Sequence, residues 1–166
     1  MADNVSLFQK IIRGAGAGLL ATFPMTVFIL TAWKRLPARE KYPLPPRLIT
    51  RKLVKEANPP VRLNDRQLTA LTLFLHFLFG ALTGSLYGIF EDRISLNRNI
   101  KGSLMGLAVW SGSYLGWIPA FGILPLATEH PWRRNLLMIV AHLVWGVTLG
   151  VFTRRINTHQ QYIDLE

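Results

Sequence analysis

The sequence predicts an all-α integral membrane protein, a four-helix bundle forming one domain over residues 1–166, and three observations predict it. Half of the residues are hydrophobic and only 17% are charged, against roughly 25% in a typical soluble domain. The charges cluster at 34–66, 91–101, 129–134 and 154–166, with long uncharged stretches between them. Four such stretches, at about 14–33, 68–90, 102–124 and 135–152, contain no Asp, Glu, Lys or Arg. Each approaches the ~20 apolar residues needed to cross ~30 Å of hydrocarbon.

The flanks of each stretch agree with a span. Arg13, Lys34, Arg35, Arg66, Arg93, Lys101, Arg133, Arg134, Arg154 and Arg155 lie just outside them. Trp33, Tyr87, Trp117 and Trp132 fall near the ends, where amphipathic rings settle at headgroup level. The start, Met1-Ala2-Asp3-Asn4, carries no basic n-region, and the first stretch contains no small-x-small cleavage pattern, so it is expected to persist as a helix. Four crossings would put both termini and the 91–101 loop on one side, with the 34–66 and 125–134 loops on the other. The second side carries twelve Lys and Arg against seven on the first, which favours placing it in the cytoplasm.

Small residues recur every four positions along the spans, which keeps them on one stripe of a helix. The first span has Gly14-x3-Gly18-x3-Thr22 and the second His76-x3-Gly80-x3-Gly84-x3-Gly88. The third has Gly112-x3-Gly116-x3-Ala120 and the fourth His142-x3-Gly146-x3-Gly150. Stripes of this kind let backbones approach closely where lipid gives helices no hydrophobic reason to associate. The two His-Gly spans suggest two repeated helical hairpins in parallel arrangement. Pro24 and Pro119 each remove a backbone donor inside a span and predict kinks. Thr22 and Thr26 flank Pro24 and are candidates to satisfy the freed carbonyls.

The 34–66 loop is basic and proline-rich. Tyr42-Pro43-Leu44-Pro45-Pro46 should be extended, and Pro46 suits the first turn of a short amphipathic helix running to about Ala57. Leu48, Ile49, Leu53 and Ala57 lie on one side of it and Arg47, Arg51, Lys52 and Lys55 on another. A helix of this pattern is expected on the membrane surface, with its cations towards headgroups or solvent. Docking against a partner protein is the competing use.

Several chemistries are excluded or unsupported. The absence of cysteine removes disulfides, thiolate metal sites and thiol nucleophiles. A net charge of +10 is read as basic loops facing a bilayer of anionic headgroups, with no nucleic acid as partner. No phosphate-binding loop, HExxH or acidic metal cluster is present. His130 and His159 belong to loop and tail. His76 and His142 are the exceptions, as the only ionisable groups inside the spans apart from tyrosine, and intramembrane ionisable groups are functional candidates. Each lies eight or nine residues into its span, so they should share one depth. As cofactor ligands they would hold a b-type haem between them, with Gly80 and Gly146 making room for the ring, or a chlorophyll-type pigment each. The alternative is a pair of neutral imidazoles hydrogen-bonding between helices, with Trp145, Trp110, Thr72 or Ser113 as partners.

Pro43-Leu44-Pro45-Pro46-Arg47 after the first span, the second span with His76 ending in Leu86-Tyr87-Gly88, and His142-Leu143-Val144-Trp145 followed by basic residues together resemble the YagU-like family of small bacterial inner-membrane proteins. The resemblance implies a multi-span fold in a bacterial inner membrane and implies no reaction. Function then divides into three expectations. The first is a non-catalytic accessory subunit packing against other membrane subunits or a second copy of itself. The second is an electron-transfer protein using His76 and His142. The third is a small transporter of a neutral or lipid-like substrate.

Overall fold

The computed structural model describes residues 6–60 and 62–163, with side chains as far as Thr153. The described residues are helical and contain no strand. Helix α1 spans Leu7–Lys34, α2 Pro45–Ala57, α3 Asp65–Phe90 and α4 Arg98–Ser111. A π-helical segment Gly112–Trp117 joins α4 to a short α5, Ile118–Ala120, and α6 spans Trp132–Ile163. Three of these helices, α1, α3 and α6, are long and apolar enough to cross a membrane, and the protein is a helical membrane protein on that evidence. Large side chains on their outer faces are exposed, among them Phe8, Phe23, Phe74 and Leu86, as a lipid solvent requires.

The helix starts follow from local chemistry. Ser6 caps α1 and Asn64 caps α3, each in a reciprocal capping box with a glutamine three residues on. Such a box satisfies two of the backbone donors that a helix start leaves open. α1 stays one helix through Pro24. The hydroxyls of Thr22 and Thr26 donate to the carbonyls of Gly18 and Thr22, so neither reaches the Leu20 carbonyl that Pro24 frees.

Glycines decide which helices meet. A Cβ added at Gly14 would lie 2.2 Å from the Gly84 carbonyl oxygen, one at Gly18 2.2 Å from that of Gly80, and one at Gly88 2.3 Å from that of Lys10. α1 and α3 therefore run antiparallel in backbone contact. The second pair repeats the device: Cβ atoms at Gly102 and Gly146 would each collide with the other residue's carbonyl, and one at Gly106 would lie 2.2 Å from that of His142. Gly112 and Gly116, expected on a packing stripe, have nothing within 4 Å of an added Cβ. The α4 contact lies ten residues earlier, at Gly102 and Gly106.

These contacts also set the register of the two hairpins. Gly14 and Gly18 correspond to Gly102 and Gly106, and Gly84 and Gly88 to Gly146 and Gly150, so Gly80 corresponds to His142. The hairpins are alike in packing but shifted by one turn from the alignment of His76 with His142.

The pairs join through α1 and α6, where the indole N–H of Trp145 donates to the Gly18 carbonyl and the Thr22 hydroxyl, both at 3.2 Å. Ala17, Ala21, Met25, Ala141, Trp145 and Leu149 form the buried centre. The resulting order is α3, α1, α6, α4, and α3 packs only sparingly on α4. The expected closed bundle is in this respect an open array, because the small-residue stripes face α1 and α6 and none joins α3 to α4.

Candidate functional site

The gap between α3 and α4 holds a cavity of about 270 Å³. Its floor is α1 and α6, its walls are α3 and the π-helical segment, and α2 covers one end. Phe79 of α3 and Trp117 meet across it with ring centroids 6.2 Å apart. Leu78 and Leu82 line the cavity and are also exposed on the outer surface, so it communicates sideways with the surroundings of the helices.

Proline shapes one wall. Pro119 cannot donate to the Leu115 carbonyl, and its ring crowds that turn. The chain responds upstream: the Ile118 N–H bonds the Ser113 carbonyl five residues back, and Gly116 takes a non-helical φ of −114° and ψ of −107°. The widened turn brings Ser113, Tyr114, Trp117 and Ile118 onto the cavity side. Single π turns of this kind often mark functional sites.

Both intramembrane histidines line this cavity. Both are tied to one stretch of α1. A Cβ at Gly80 would meet Thr22 and Gly18, and Trp145 bonds those same two residues. His76 precedes Gly80 by four residues and His142 precedes Trp145 by three, about 6 and 4.5 Å along parallel helices. Both histidines therefore belong to the same part of the bundle, beside Gly18 and Thr22 of α1. His142 is 8% exposed, and its Nδ1–H donates to the Met138 carbonyl at 2.7 Å. That bond fixes the tautomer and leaves Nε2 as an acceptor. Tyr114 stands edge-on to its ring, with centroids 6.2 Å apart. His76 is half-buried and touches Phe77 edge-on.

Interhelical hydrogen bonds from these histidines, one of the two expectations, are not formed among the described residues. His142 bonds its own helix, Trp145 bonds α1, and Thr72 donates to the Leu68 carbonyl. The space expected beside Gly80 and Gly146 for a macrocycle is filled, at Gly80 by the Thr22 side chain and at Gly146 by the α4 backbone. No group of three or more His, Cys, Asp or Glu able to hold a metal ion occurs among the described residues.

α2 begins one residue earlier than expected and docks on α3. The guanidinium of Arg47 donates to Asp65 at 2.9 Å and to the Thr69 hydroxyl at 3.0 Å, which ties α2 to the start of α3. Arg51 and Lys55 remain exposed, and Lys52 lies 3.4 Å from Glu56. Ile49, Thr50 and Leu53 turn towards the cavity, and Thr50 is fully buried.

A second polar cluster anchors the segment leading into α2. Arg134 reads in the sequence as a headgroup flank, yet it is 3% exposed. It donates to the carbonyls of Glu40, Tyr42 and Pro43 at 2.9–3.1 Å and lies 3.5 Å from the centre of the Tyr42 ring. The Tyr42 hydroxyl bonds Nδ1 of His130. Burial pushes the Tyr42 phenol up; burial, followed by the Arg134 charge, holds the His130 imidazole below its ordinary range. Nothing in residue spacing marks this cluster, because it joins positions some ninety residues apart. The side chain of His159 lies outside the described residues.

No charged residue occurs among the described residues lining the cavity. It offers an apolar space, one acceptor nitrogen held in place, and a second imidazole in the lining. The family model for DUF1440, described as a protein of unknown function, matches residues 30–151, and the chain belongs to that family. That range includes both histidines, α2 and the π-helical wall. No curated protein and no solved structure matches the chain.

Proposed function

We propose that the protein is a four-span, non-catalytic membrane protein that binds a small lipophilic molecule in the cavity between α3 and the α4–α5 rod. The observation that carries this reading is the lining. Apolar side chains from all six helices converge on a space whose polar groups are neutral, with a buried imidazole acceptor among them. Binding sites for small molecules are commonly mostly apolar, with a few placed polar groups, and about 270 Å³ lies near the small end of their ~300–1,000 Å³ range. The sideways opening suits a molecule that arrives through lipid.

Counting the α4–α5 rod as the fourth crossing rests on its length. The helical run from Arg98 to Ala120 covers about 35 Å at ~1.5 Å per residue. The excess of Lys and Arg in the loops containing α2 and Arg134 favours the cytoplasm for that side. The YagU-like resemblance favours a bacterial inner membrane. The accessory-subunit expectation draws on the lack of catalytic motifs and on glycine stripes beyond the needs of one bundle, and the stripes of α1, α3, α4 and α6 are used in contacts within this chain. The cavity therefore favours ligand binding over an accessory role.

Native mass spectrometry of the full chain, extracted in mild detergent, tests the proposal. The wild type should retain one lipophilic molecule, and Val109→Trp, which fills the cavity from α4, should lose it. A bare chain at every activation energy, or equal retention by both proteins, would refute ligand binding at this place.

A further inference from the structure

Resting on that reading, we infer that the molecule held in the cavity carries an uncharged hydroxyl head, an alcohol or phenol, which donates its hydrogen bond to Nε2 of His142. The lining argues against other heads first. A carboxylate or phosphate would leave water for a site whose described lining contains no Lys or Arg, and an ammonium would find no carboxylate there. Burying an unpaired charge costs several kcal/mol even after relaxation.

The argument for a donor is geometric. His142 is over nine-tenths buried, its Nδ1–H is committed to Met138, and its other nitrogen has no hydrogen-bond partner among the described residues. Most hydroxyls around the cavity are already engaged. Thr72 donates to Leu68, Thr83 to Phe79, Thr50 to Pro46 and Thr22 to Gly18, each within its own helix. Ser113 accepts from the Trp117 indole. The acceptor at His142 thus stands alone in an apolar space, and buried polar groups are normally paired. A hydroxyl supplies the missing donor without introducing a charge. The aliphatic or aromatic remainder would lie along Leu75 and Phe79 towards the opening.

The test uses the full chain in phosphatidylcholine nanodiscs and three probes of one chain length: 12-bromododecan-1-ol, its methyl ether, and 12-bromododecanoate. The bromine quenches Trp117 and Trp145, which line the cavity, and the saturable part of the quenching gives an affinity at equal membrane mole fraction. The alcohol should bind about fivefold or more tightly than the ether, the ratio one net hydrogen bond provides, and the carboxylate should bind weakest. His142→Phe should bring the alcohol-to-ether ratio close to one, and His142→Gln, which keeps an acceptor, should restore part of it. If the phenylalanine variant does not fold, the wild-type ratio still decides. Equal affinities for alcohol and ether, or tightest binding by the carboxylate, would overturn the inference while leaving ligand binding intact. Saturable quenching by none of the three would overturn ligand binding itself. A Soret band in the purified protein, lost in His76→Ala and His142→Ala, would assign Nε2 to iron and also overturn the inference.

Discussion

Adding one methyl group at Gly84 should separate two helices, while the same change at Gly16 should not. A Cβ at Gly84 would lie 2.3 Å from the Gly14 carbonyl oxygen, 2.7 Å from the Gly18 Cα and 3.0 Å from the Gly18 nitrogen. All three atoms are backbone, so no side chain can rotate away. Non-bonded carbon contacts sit near 3.5–4.0 Å, so α1 and α3 must part by about 1 Å. A gap of that size forfeits a quarter to a half of the contact energy along the ladder. Overpacking costs about 1–3 kcal/mol, offset by the ~1 kcal/mol by which alanine favours a helix over glycine. Gly84→Ala should therefore destabilise by up to about 2 kcal/mol, and Gly84→Leu by more. Gly16 lies on the same α1, two residues from both Gly14 and Gly18, and an added Cβ there meets nothing within 4 Å. Gly16→Ala should be neutral or stabilising by up to about 1 kcal/mol. Equilibrium unfolding by SDS in mixed micelles, followed by circular dichroism, measures both. Equal shifts for Gly84→Ala and Gly16→Ala would refute the backbone-contact account of how α1 meets α3.

Two further predictions concern the polar cluster at the start of α2. Arg134→Lys should destabilise the protein by about 2–3 kcal/mol, since a single nitrogen on a shorter stem cannot span carbonyls that the guanidinium reaches with two separate nitrogens; the same SDS unfolding reads it, and a change under about 0.5 kcal/mol would contradict the clamp. His130 is held below its ordinary range by burial and Arg134, so the unfolded chain takes up its proton first as pH falls. Its neutral form contributes stability that is fully present above the unfolded value of about 6.5 and lost as pH drops from there towards the folded value. Unfolding midpoints measured from pH 7.5 to 5.0 should fall, and His130→Gln should flatten the fall; an unchanged slope in the variant would assign it to other groups.

Much of this architecture was legible because lipid imposes simple rules. Uncharged stretches of the right length located α1, α3 and α6 to within a few residues at most ends, although α1 starts at Leu7 rather than near Gly14 and α6 runs on to Ile163 rather than ending near Phe152. The glycines of α1 and α3 form a stripe, and the structure places that stripe in backbone contact. α4 shows the limit: Gly102, Gly106, Gly112 and Gly116 all have small-residue spacing, and only the neighbour's position separates the first two from the last two. The π turn at 112–117 was equally hidden. Pro119 announces a disturbance, but the chain can absorb it by a bend, a lost bond or a wider turn. The site divides in the same way. His76 and His142 stood out as ionisable groups in apolar spans, yet helical periodicity does not say that α3 and α4 stand apart. Arg134 looked like a headgroup flank because sequence records its distance from a span end; its burial depends on residues 40–43 folding back over α6.

The account centres on the cavity as the place where a lipophilic molecule is held, and photolabelling maps that place directly. Dodecan-1-ol carrying a diazirine in mid-chain, added to membranes containing the full chain, should label Leu75, Phe79 and Trp117, with mapping by peptide mass spectrometry. Val109→Trp should remove most of that label while leaving background on outer-face residues such as Phe23 and Phe74. Labelling spread evenly over the outer faces, with none concentrated at the cavity and no response to Val109→Trp, would contradict the account.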